Sequence, residues 1–163
     1  MTLIIKNMRL TVIVGIILIV SVSCNLSKKY EREEAEEIQQ YLDSHTDLNF
    51  ELKPSGLYYL EVLAGTGEIA TVHDTAYVIY TGKYLNGTPF DTNVGKDSLI
   101  FPVGEGFTIE GFDEGITYMR EKGKSTFLIP SRLGWGSSGY YMPAYTPIVF
   151  EVELARLVQG PGR

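Results

Sequence analysis

Alternation of apolar and polar residues predicts β-strands over most of the chain after Gly56. We predict strands at Leu57–Leu63, Thr75–Lys83, Leu99–Val103, Thr126–Pro130 and Pro147–Leu157. One segment has helical spacing instead, because Phe112, Ile116 and Met119 recur on a single face. Asn86-Gly87 is typical of a tight hairpin turn. Many antiparallel strands with one short helix predict an α+β fold, in which the sheet curls over the helix to bury its apolar face.

The beginning of the chain has the pattern of an export signal. Lys6 and Arg9 precede an apolar run from Leu10 to Val20, and small residues lead to Cys24, the only cysteine. The run is short for a membrane-spanning helix, which needs about 20 apolar residues. Ser21-Val22-Ser23-Cys24 resembles a bacterial lipoprotein cleavage box, so we predict lipidation at Cys24. The alternatives are an uncleaved spanning anchor and a buried free thiol.

A polar linker and a short helix follow the export segment. Tyr30 to Leu42 is rich in helix-forming residues and glutamates, and Ile38 and Leu42 lie four apart on one face. We interpret this helix as a spacer between the membrane and the body. The alternative is a dimerisation arm, which the narrow apolar stripe disfavours. We therefore expect a monomer.

Length and charge are those of one globular domain with appendages. The chain has 163 residues and a hydrophobic content of 44%. Residues 24–163 carry 12 basic and 20 acidic side chains, a net charge of −8, which argues against nucleic acid as the main partner. The predicted parts are an export segment at 1–23, a linker and helix at 24–54, a folded body at 55–158 and a tail at 159–163.

Aromatic residues recur in four blocks that are far apart in sequence. The blocks are IYTGKYLNGTPFD (79–91), FPVGEGFTIEGFDEGITYM (101–119), GKSTFLIPSRLGWG (123–136) and PIVFEVEL (147–154). Their recurrence predicts one apolar pocket with few polar groups. In this order and spacing the blocks resemble the FK506-binding-protein (FKBP) family of peptidyl-prolyl cis-trans isomerases. The resemblance covers roughly Gly56 to Val158 and implies the family's half-barrel sheet around one helix.

The resemblance also implies roles for individual residues. The matching pocket positions are Tyr80, Phe90, Asp91, Ile109, Phe112, Trp135 and Phe150, with Leu99, Thr108, Tyr141 and Met142 as further substrate contacts. Phe112 would form the floor of the pocket, and the aromatic strand residues its walls. Asp91 would accept a hydrogen bond from Tyr80, and Ile109 would offer its backbone N–H to a substrate carbonyl. Buried strand aromatics and a surface acid are the structural alternatives.

The sequence departs from the family's pattern at three places. Trp135 stands where a tyrosine is usual, although an indole N–H can also donate a hydrogen bond. Leu99 stands where an aromatic residue is usual. The loop after Trp135 is shorter than common versions and carries Tyr140, Tyr141 and Met142 in place of small or aliphatic residues, with Met142 expected at the apolar lip.

The chemistry that the resemblance implies requires no nucleophile, metal or cofactor. Rotation about an X-Pro bond is slow because amide resonance must be broken, so a catalyst must bind the twisted amide better than the planar forms. No metal-ligand spacing is evident in the sequence. The resemblance implies an isomerase, and the export segment with Cys24 places it at the periplasmic side of a bacterial envelope, where its substrates would be exported proteins. Macrolides of the FK506 and rapamycin type are candidate ligands. The alternatives are a proline-binding or chaperone module with little turnover and, more distantly, a scaffold subunit of an envelope assembly.

Overall fold

The computed structural model describes residues 26–139 and 141–161. The predicted export segment, the lipidation site at Cys24 and Tyr140 lie outside the described residues. The chain divides into two compact units, Met1–Glu36 and Glu37–Arg163. In the first unit the described residues are helical and mostly exposed, with ion pairs one helical turn apart, Lys29 to Glu33 and Arg32 to Glu36. Pairs of this kind support an isolated helix by about 0.3–0.5 kcal/mol each.

The second unit contains one antiparallel sheet and a short helix. The strands are β1 (Glu51–Leu52), β2 (Tyr58–Leu63), β3 (Thr75–Tyr84), β4 (Pro89–Thr92), β5 (Leu99–Pro102), β6 (Lys124–Ile129) and β7 (Ile148–Val158). Helix α1 covers residues 26–44, helix α2 covers Glu110–Thr117, and a 3₁₀ turn covers Ser131–Leu133. The strand order is β1-β2-β6-β7-β3-β4, and β5 also pairs with β3. The sheet is curled and unclosed, so the α+β prediction is confirmed.

The observed elements differ from the predicted ones mainly at their ends. The five predicted strands are present with shifts of one or two residues. Helix α2 begins at Glu110, before the predicted Phe112, because the extended Ile109 is its N-cap. It ends at Thr117, and Met119 follows it in a turn with its side chain fully buried. Strand β1 was not predicted, and β4 was implied by the hairpin turn at Asn86-Gly87 but was given no bounds.

The main core lies between α2 and the face of the sheet that it covers, called here the inner face. Phe112 of α2 packs against Tyr80 of β3, Phe127 of β6 and Phe150 of β7, and Ile116 is fully buried in the same core. Gly115 permits the close approach of helix and sheet, since a Cβ at this position would lie 2.6 Å from the ring of Phe127. The sheet therefore holds the helix at a distance that a larger side chain would not allow.

A smaller cluster lies on the outer face of the sheet. Ile38 at the end of α1 is buried with Leu128 of β6 and Val149 of β7. Half-buried residues pack around these three, namely Tyr41, Leu42, Phe50, Tyr58 and Leu85. The last turns of α1 are thus packed against the sheet, which the interpretation of the helix as a spacer did not foresee.

Candidate active site

Four aromatic rings from four different elements meet on the inner face. They belong to Tyr80 of β3, Phe90 of β4, Phe112 of α2 and Phe150 of β7, called here the aromatic site. Phe150 is central, with ring centroids 5.0 Å from Phe112 and 5.7 Å from both Tyr80 and Phe90. All these contacts are edge-to-face, the geometry that aromatic quadrupoles favour. The structure therefore brings together the predicted floor and walls.

Gly82 makes this arrangement sterically possible. It lies on β3, two residues after Tyr80, and is paired with Phe150 across the sheet. A Cβ at position 82 would lie 2.7 Å from Phe90 and 2.8 Å from Phe150. A glycine inside a strand is a general sign of close approach. That signal was available in the sequence, but only the register shows that two aromatic rings occupy the space.

Tyr80 and Asp91 form the polar part of the site. The Tyr80 hydroxyl donates a hydrogen bond of 2.7 Å to Oδ2 of Asp91. Burial, with smaller contributions from this hydrogen bond and from the charge of Asp91, raises the pKa of Tyr80 to about 12. The hydroxyl consequently stays protonated at all ordinary pH values. Asp91 is exposed, so its carboxylate lies where the site opens to solvent.

The buried side-chain amide of Asn93 holds the backbone next to the Tyr80–Asp91 pair in place. Asn93 accepts a hydrogen bond of 2.7 Å from the Tyr80 N–H through its side-chain oxygen. Its side-chain nitrogen donates to the carbonyl of Val78 at 2.9 Å. The chain after β4 is therefore attached to β3 next to the Tyr80–Asp91 pair. Asn93 was not predicted as a site residue, because an asparagine two residues before a glycine is typical of an ordinary turn.

A second buried polar group positions the segment that carries Thr108 and Ile109. The carboxylate of Asp113 is buried and accepts hydrogen bonds from the N–H groups of Gly104 at 2.8 Å and Gly106 at 3.0 Å. The loop between β5 and α2 is thus attached to the first turn of the helix. Ile109 packs against the main core, and its carbonyl accepts the N–H groups of Phe112 and Asp113. Thr108 is half-buried beside it.

Trp135 extends the aromatic cluster beyond the sheet. It follows the 3₁₀ turn, is half-buried, and meets the ring of Phe90 edge-to-face at 5.9 Å. The exposed ring of Tyr141 lies 6.0 Å from Trp135 on the loop that follows. Met142 is buried in the main core, whereas the family pattern placed it at the lip, and Leu99 packs against the same core from β5. Their contacts with a substrate remain predictions.

Comparison with known proteins identifies this arrangement. The family model of the FKBP-type peptidyl-prolyl cis-trans isomerases matches residues 67–155. The FK506-binding protein of Neisseria meningitidis serogroup B (strain ATCC BAA-335 / MC58) is 36% identical over 107 residues, which cover 64% of this chain and 98% of that protein. The chain belongs to the FKBP-type peptidyl-prolyl cis-trans isomerases.

Two further FKBP-type relatives contain additional sequence. The peptidyl-prolyl cis-trans isomerase Mip of Chlamydia muridarum (strain MoPn / Nigg) is 37% identical over 105 residues, covering 64% of this chain and 42% of that protein. The crystal structure of FkpA from Escherichia coli superposes with a TM-score of 0.67 at 28% identity, covering 82% of this chain and 65% of that one. The similarity to FkpA extends over more of this chain than the isomerase domain alone.

The outer face of this FKBP-type sheet carries a groove and two ion pairs. A groove of about 770 Å³ lies there, bordered at one end by Tyr41 and Leu48. Cross-strand ion pairs lie among its lining residues, Lys83 with Glu151 at 2.5 Å and Lys124 with Glu153 at 2.9 Å. Apolar side chains such as Leu60, Ile79 and Val149 also line this groove, which therefore combines apolar surface with ion pairs. Among the described residues, no group of His, Cys, Asp and Glu side chains could hold a metal ion.

Proposed function

We propose that this FKBP-type isomerase catalyses rotation about X-Pro bonds of exported polypeptides, with the prolyl ring in the aromatic site. The convergence of Tyr80, Phe90, Phe112 and Phe150 from four separate elements is the observation that supports this proposal. Members of the family bind proline-containing segments and FK506. The pyrrolidine ring is compact and apolar, and aromatic walls bind it by dispersion and by exclusion of water.

The proposed mechanism depends on the change in amide polarity during rotation. A planar amide is strongly polarised because of resonance, and twisting reduces the charge separation between nitrogen and oxygen. An apolar site therefore binds the twisted form better than water does, which lowers the barrier without any covalent step. In this proposal the Ile109 N–H orients a substrate carbonyl. Asp91, held by Tyr80, places a negative charge at the open side.

Leu99, Thr108 and Met142 complete the proposed contacts around the prolyl ring. Leu99, the first residue of β5, and Ile109, the N-cap of α2, both pack against the core beside the aromatic site. The Trp135 indole N–H is proposed as a donor in place of the usual tyrosine hydroxyl. Because the site is aromatic and lies on the inner face, FK506-type and rapamycin-type macrolides are proposed to compete for it.

The decisive experiment is a cis-trans assay on a panel of peptides that differ in the residue before proline. We expect accelerated isomerisation and its inhibition by an FK506-type macrolide. A protein that binds the peptides without accelerating their isomerisation would instead be a proline-binding or chaperone module. An accelerated rate that persists at a saturating concentration of bound macrolide would place catalysis outside the aromatic site.

We further propose that the protein is a monomer attached to the periplasmic side of a bacterial membrane through lipidated Cys24. The support is the apolar run from Leu10 to Val20, followed by small residues and Cys24, together with bacterial relatives from Neisseria and Chlamydia. Acyl chains would anchor the protein without a spanning helix. Among the described residues, no helix combines the length and the apolarity that a membrane span requires.

Metabolic labelling with a fatty acid tests the anchor. The wild type should incorporate label and Cys24→Ser should not, while the substituted protein should be lost from the membrane fraction. Wild-type protein that stays unlabelled in the membrane would mean that the apolar run itself is the anchor.

A further inference from the structure

Two short strands share one edge of β3, and the pairing is interrupted between them. On this edge β5 pairs with Thr75–Val78 and β4 pairs with Thr81–Lys83. Among the described residues, Ile79 and Tyr80 have no paired residue in either strand. Buried backbone groups without a partner are costly, so the interruption needs hydrogen bonds from another source.

The side chain of Asn93 fills this interruption. Its Oδ1 accepts the Tyr80 N–H at 2.7 Å, and its Nδ2 donates to the Val78 carbonyl at 2.9 Å. One amide thus supplies the acceptor and the donor that a residue of a paired strand would supply. The backbone N–H of Asn93 also donates to the Tyr80 carbonyl at 3.3 Å. Both backbone polar groups of Tyr80 are therefore bonded to Asn93, which is buried.

Asn93 also closes the loop that leads from β4 to β5. Its Nδ2 donates a second hydrogen bond, of 3.2 Å, to the carbonyl of Asp97. Its own carbonyl accepts the Lys96 N–H at 2.9 Å. Asp91 precedes Asn93 by two residues on β4, and Leu99 begins β5 shortly after Asp97. A single side chain therefore joins the end of β4, the middle of β3 and the start of β5.

We propose that Asn93 is a positioning residue for the isomerisation and that it acts through Tyr80. This inference rests on the proposed function of the aromatic site. The position of the Tyr80 backbone determines where its hydroxyl reaches, and that hydroxyl bonds to Asp91 at 2.7 Å. Hydrogen bonds weaken steeply when their geometry is disturbed, so a small shift of the Tyr80 backbone releases the carboxylate.

The apolar part of the site is held by other contacts. Phe150 meets Phe112 and Phe90 edge-to-face, and neither contact involves Asn93. Loss of the Asn93 amide is therefore expected to spare the binding of the prolyl ring. The carboxylate that Tyr80 orients towards the rotating amide would be misplaced. The expected signature is a fall in kcat with little change in KM.

The test compares Asn93→Ala with Asn93→Ser, whose hydroxyl is too short to reach both Val78 and Tyr80 but keeps a polar group in the site. In the cis-trans assay, at a temperature where circular dichroism shows the variants folded, kcat should fall about three- to tenfold while KM changes less than about twofold. Asn86→Ala is the matched control, because the Asn86 side chain also accepts a backbone N–H, that of Thr88 at 2.9 Å, but at an exposed turn. This control should keep the wild-type kcat.

A double-variant cycle separates positioning from a general structural role. If Asn93 acts by directing the Tyr80 hydroxyl to Asp91, Asn93→Ser should reduce kcat less than about twofold when Tyr80→Phe is already present. A loss of the same size in both backgrounds would overturn the inference, because Asn93 would then act independently of the hydroxyl. So would an unchanged kcat in folded Asn93→Ser. If Asn93→Ala does not fold, the Ser variant decides.

A titration of Tyr80 gives a readout that does not depend on turnover. Carbon-13 NMR of ring-labelled tyrosine follows the pKa of Tyr80, which is about 12 in the wild type, and Tyr80→Phe assigns its signal. Asn93→Ser should lower this pKa, since the hydrogen bond and the charge of Asp91 both raise it, and Asn86→Ala should not. An unchanged pKa in Asn93→Ser would overturn the inference. A wild type without turnover would refute the proposed function, and the titration would still decide whether Asn93 positions Tyr80.

Discussion

Tyr80 combines a structural and a chemical role in one side chain. Its ring packs against Phe112 and Phe150, and its hydroxyl bonds to Asp91. Replacement by phenylalanine keeps the ring and removes the bond that orients the carboxylate. A hydrogen bond to a charged group contributes about 1.5–3 kcal/mol, and the exposure of Asp91 places this one at the lower end. We expect Tyr80→Phe to reduce kcat/KM roughly tenfold, measured by the cis-trans assay, with the fold intact by circular dichroism.

The raised pKa of Tyr80 gives the same variant a second, pH-dependent readout. The folded state holds the phenolic proton up to about pH 12, whereas in the unfolded chain it is lost near the ordinary value of 10. The contribution of Tyr80 to stability is therefore fully present below pH 10 and is lost as the pH rises toward 12. In guanidinium titrations, the free energies of unfolding of the wild type and Tyr80→Phe should differ by a constant amount below pH 10. This difference in free energy should shrink above pH 10. A difference that stays constant to pH 11.5 would contradict the raised pKa of Tyr80.

Trp135 is the chain's only tryptophan, and its role as a donor can be separated from its role as apolar surface. Trp135→Tyr keeps a donor and Trp135→Phe removes it. If the indole N–H orients a substrate carbonyl, the Phe variant should be worse than the Tyr variant by about 0.5–1.5 kcal/mol in transition-state binding, obtained from kcat/KM. Equal values would mean that position 135 supplies only apolar surface. In the wild type, saturating proline peptide should also change the tryptophan fluorescence.

At the scale of elements, the end of α1 is expected to contribute to the stability of the second unit. Ile38 is buried against Leu128 and Val149 on the outer face. Truncation of a buried isoleucine costs about 2–5 kcal/mol, and the small size of this cluster favours the lower end. Ile38→Ala should therefore reduce the free energy of unfolding by about 2 kcal/mol in guanidinium titrations. Gln40→Ala, at an exposed position of the same helix, is the control, and equal effects of the two would contradict the packing role.

The elements also show how much the sequence could predict. The strands with long alternating patterns were found, because alternation reports directly on burial at one face of a sheet. The bounds of β4 were not predicted because it has only four residues and begins with a proline, and β1 was missed because it has only two residues. The start of α2 was placed two residues late because its N-cap, Ile109, makes no side-chain capping bond and leaves no polar signal.

The candidate site was predictable to a similar degree. The resemblance to the FKBP family supplied the four rings of the aromatic site, Asp91 and Trp135, and the structure brings these residues together. Gly82 and Asp113 were not predicted, since their roles depend on register and on a loop returning to the helix. The sequence therefore predicted which aromatic rings lie together better than the groups that hold them in place.

At the scale of the whole second unit, the two faces of one sheet carry different features. The inner face has four converging aromatic rings with Asp91 at the edge, and the outer face has the cluster around Ile38 and a groove with cross-strand ion pairs. Apolar surface is present on both faces, so it does not by itself locate the site. The four converging rings and the Tyr80–Asp91 pair lead us to place catalysis on the inner face.

Exchange NMR on a short peptide with one X-Pro bond tests this central claim most directly. Uncatalysed isomerisation takes tens of seconds, so cis and trans signals exchange within a sub-second mixing time only if they are catalysed. We predict exchange cross-peaks with a substoichiometric amount of the wild type. Cross-peaks should persist with Lys124→Ala on the outer face, whereas Phe90→Ala should reduce the exchange rate at least about tenfold, since it removes most of one apolar wall. Absence of cross-peaks with the wild type, or equal rates with Phe90→Ala and the wild type, would contradict the account.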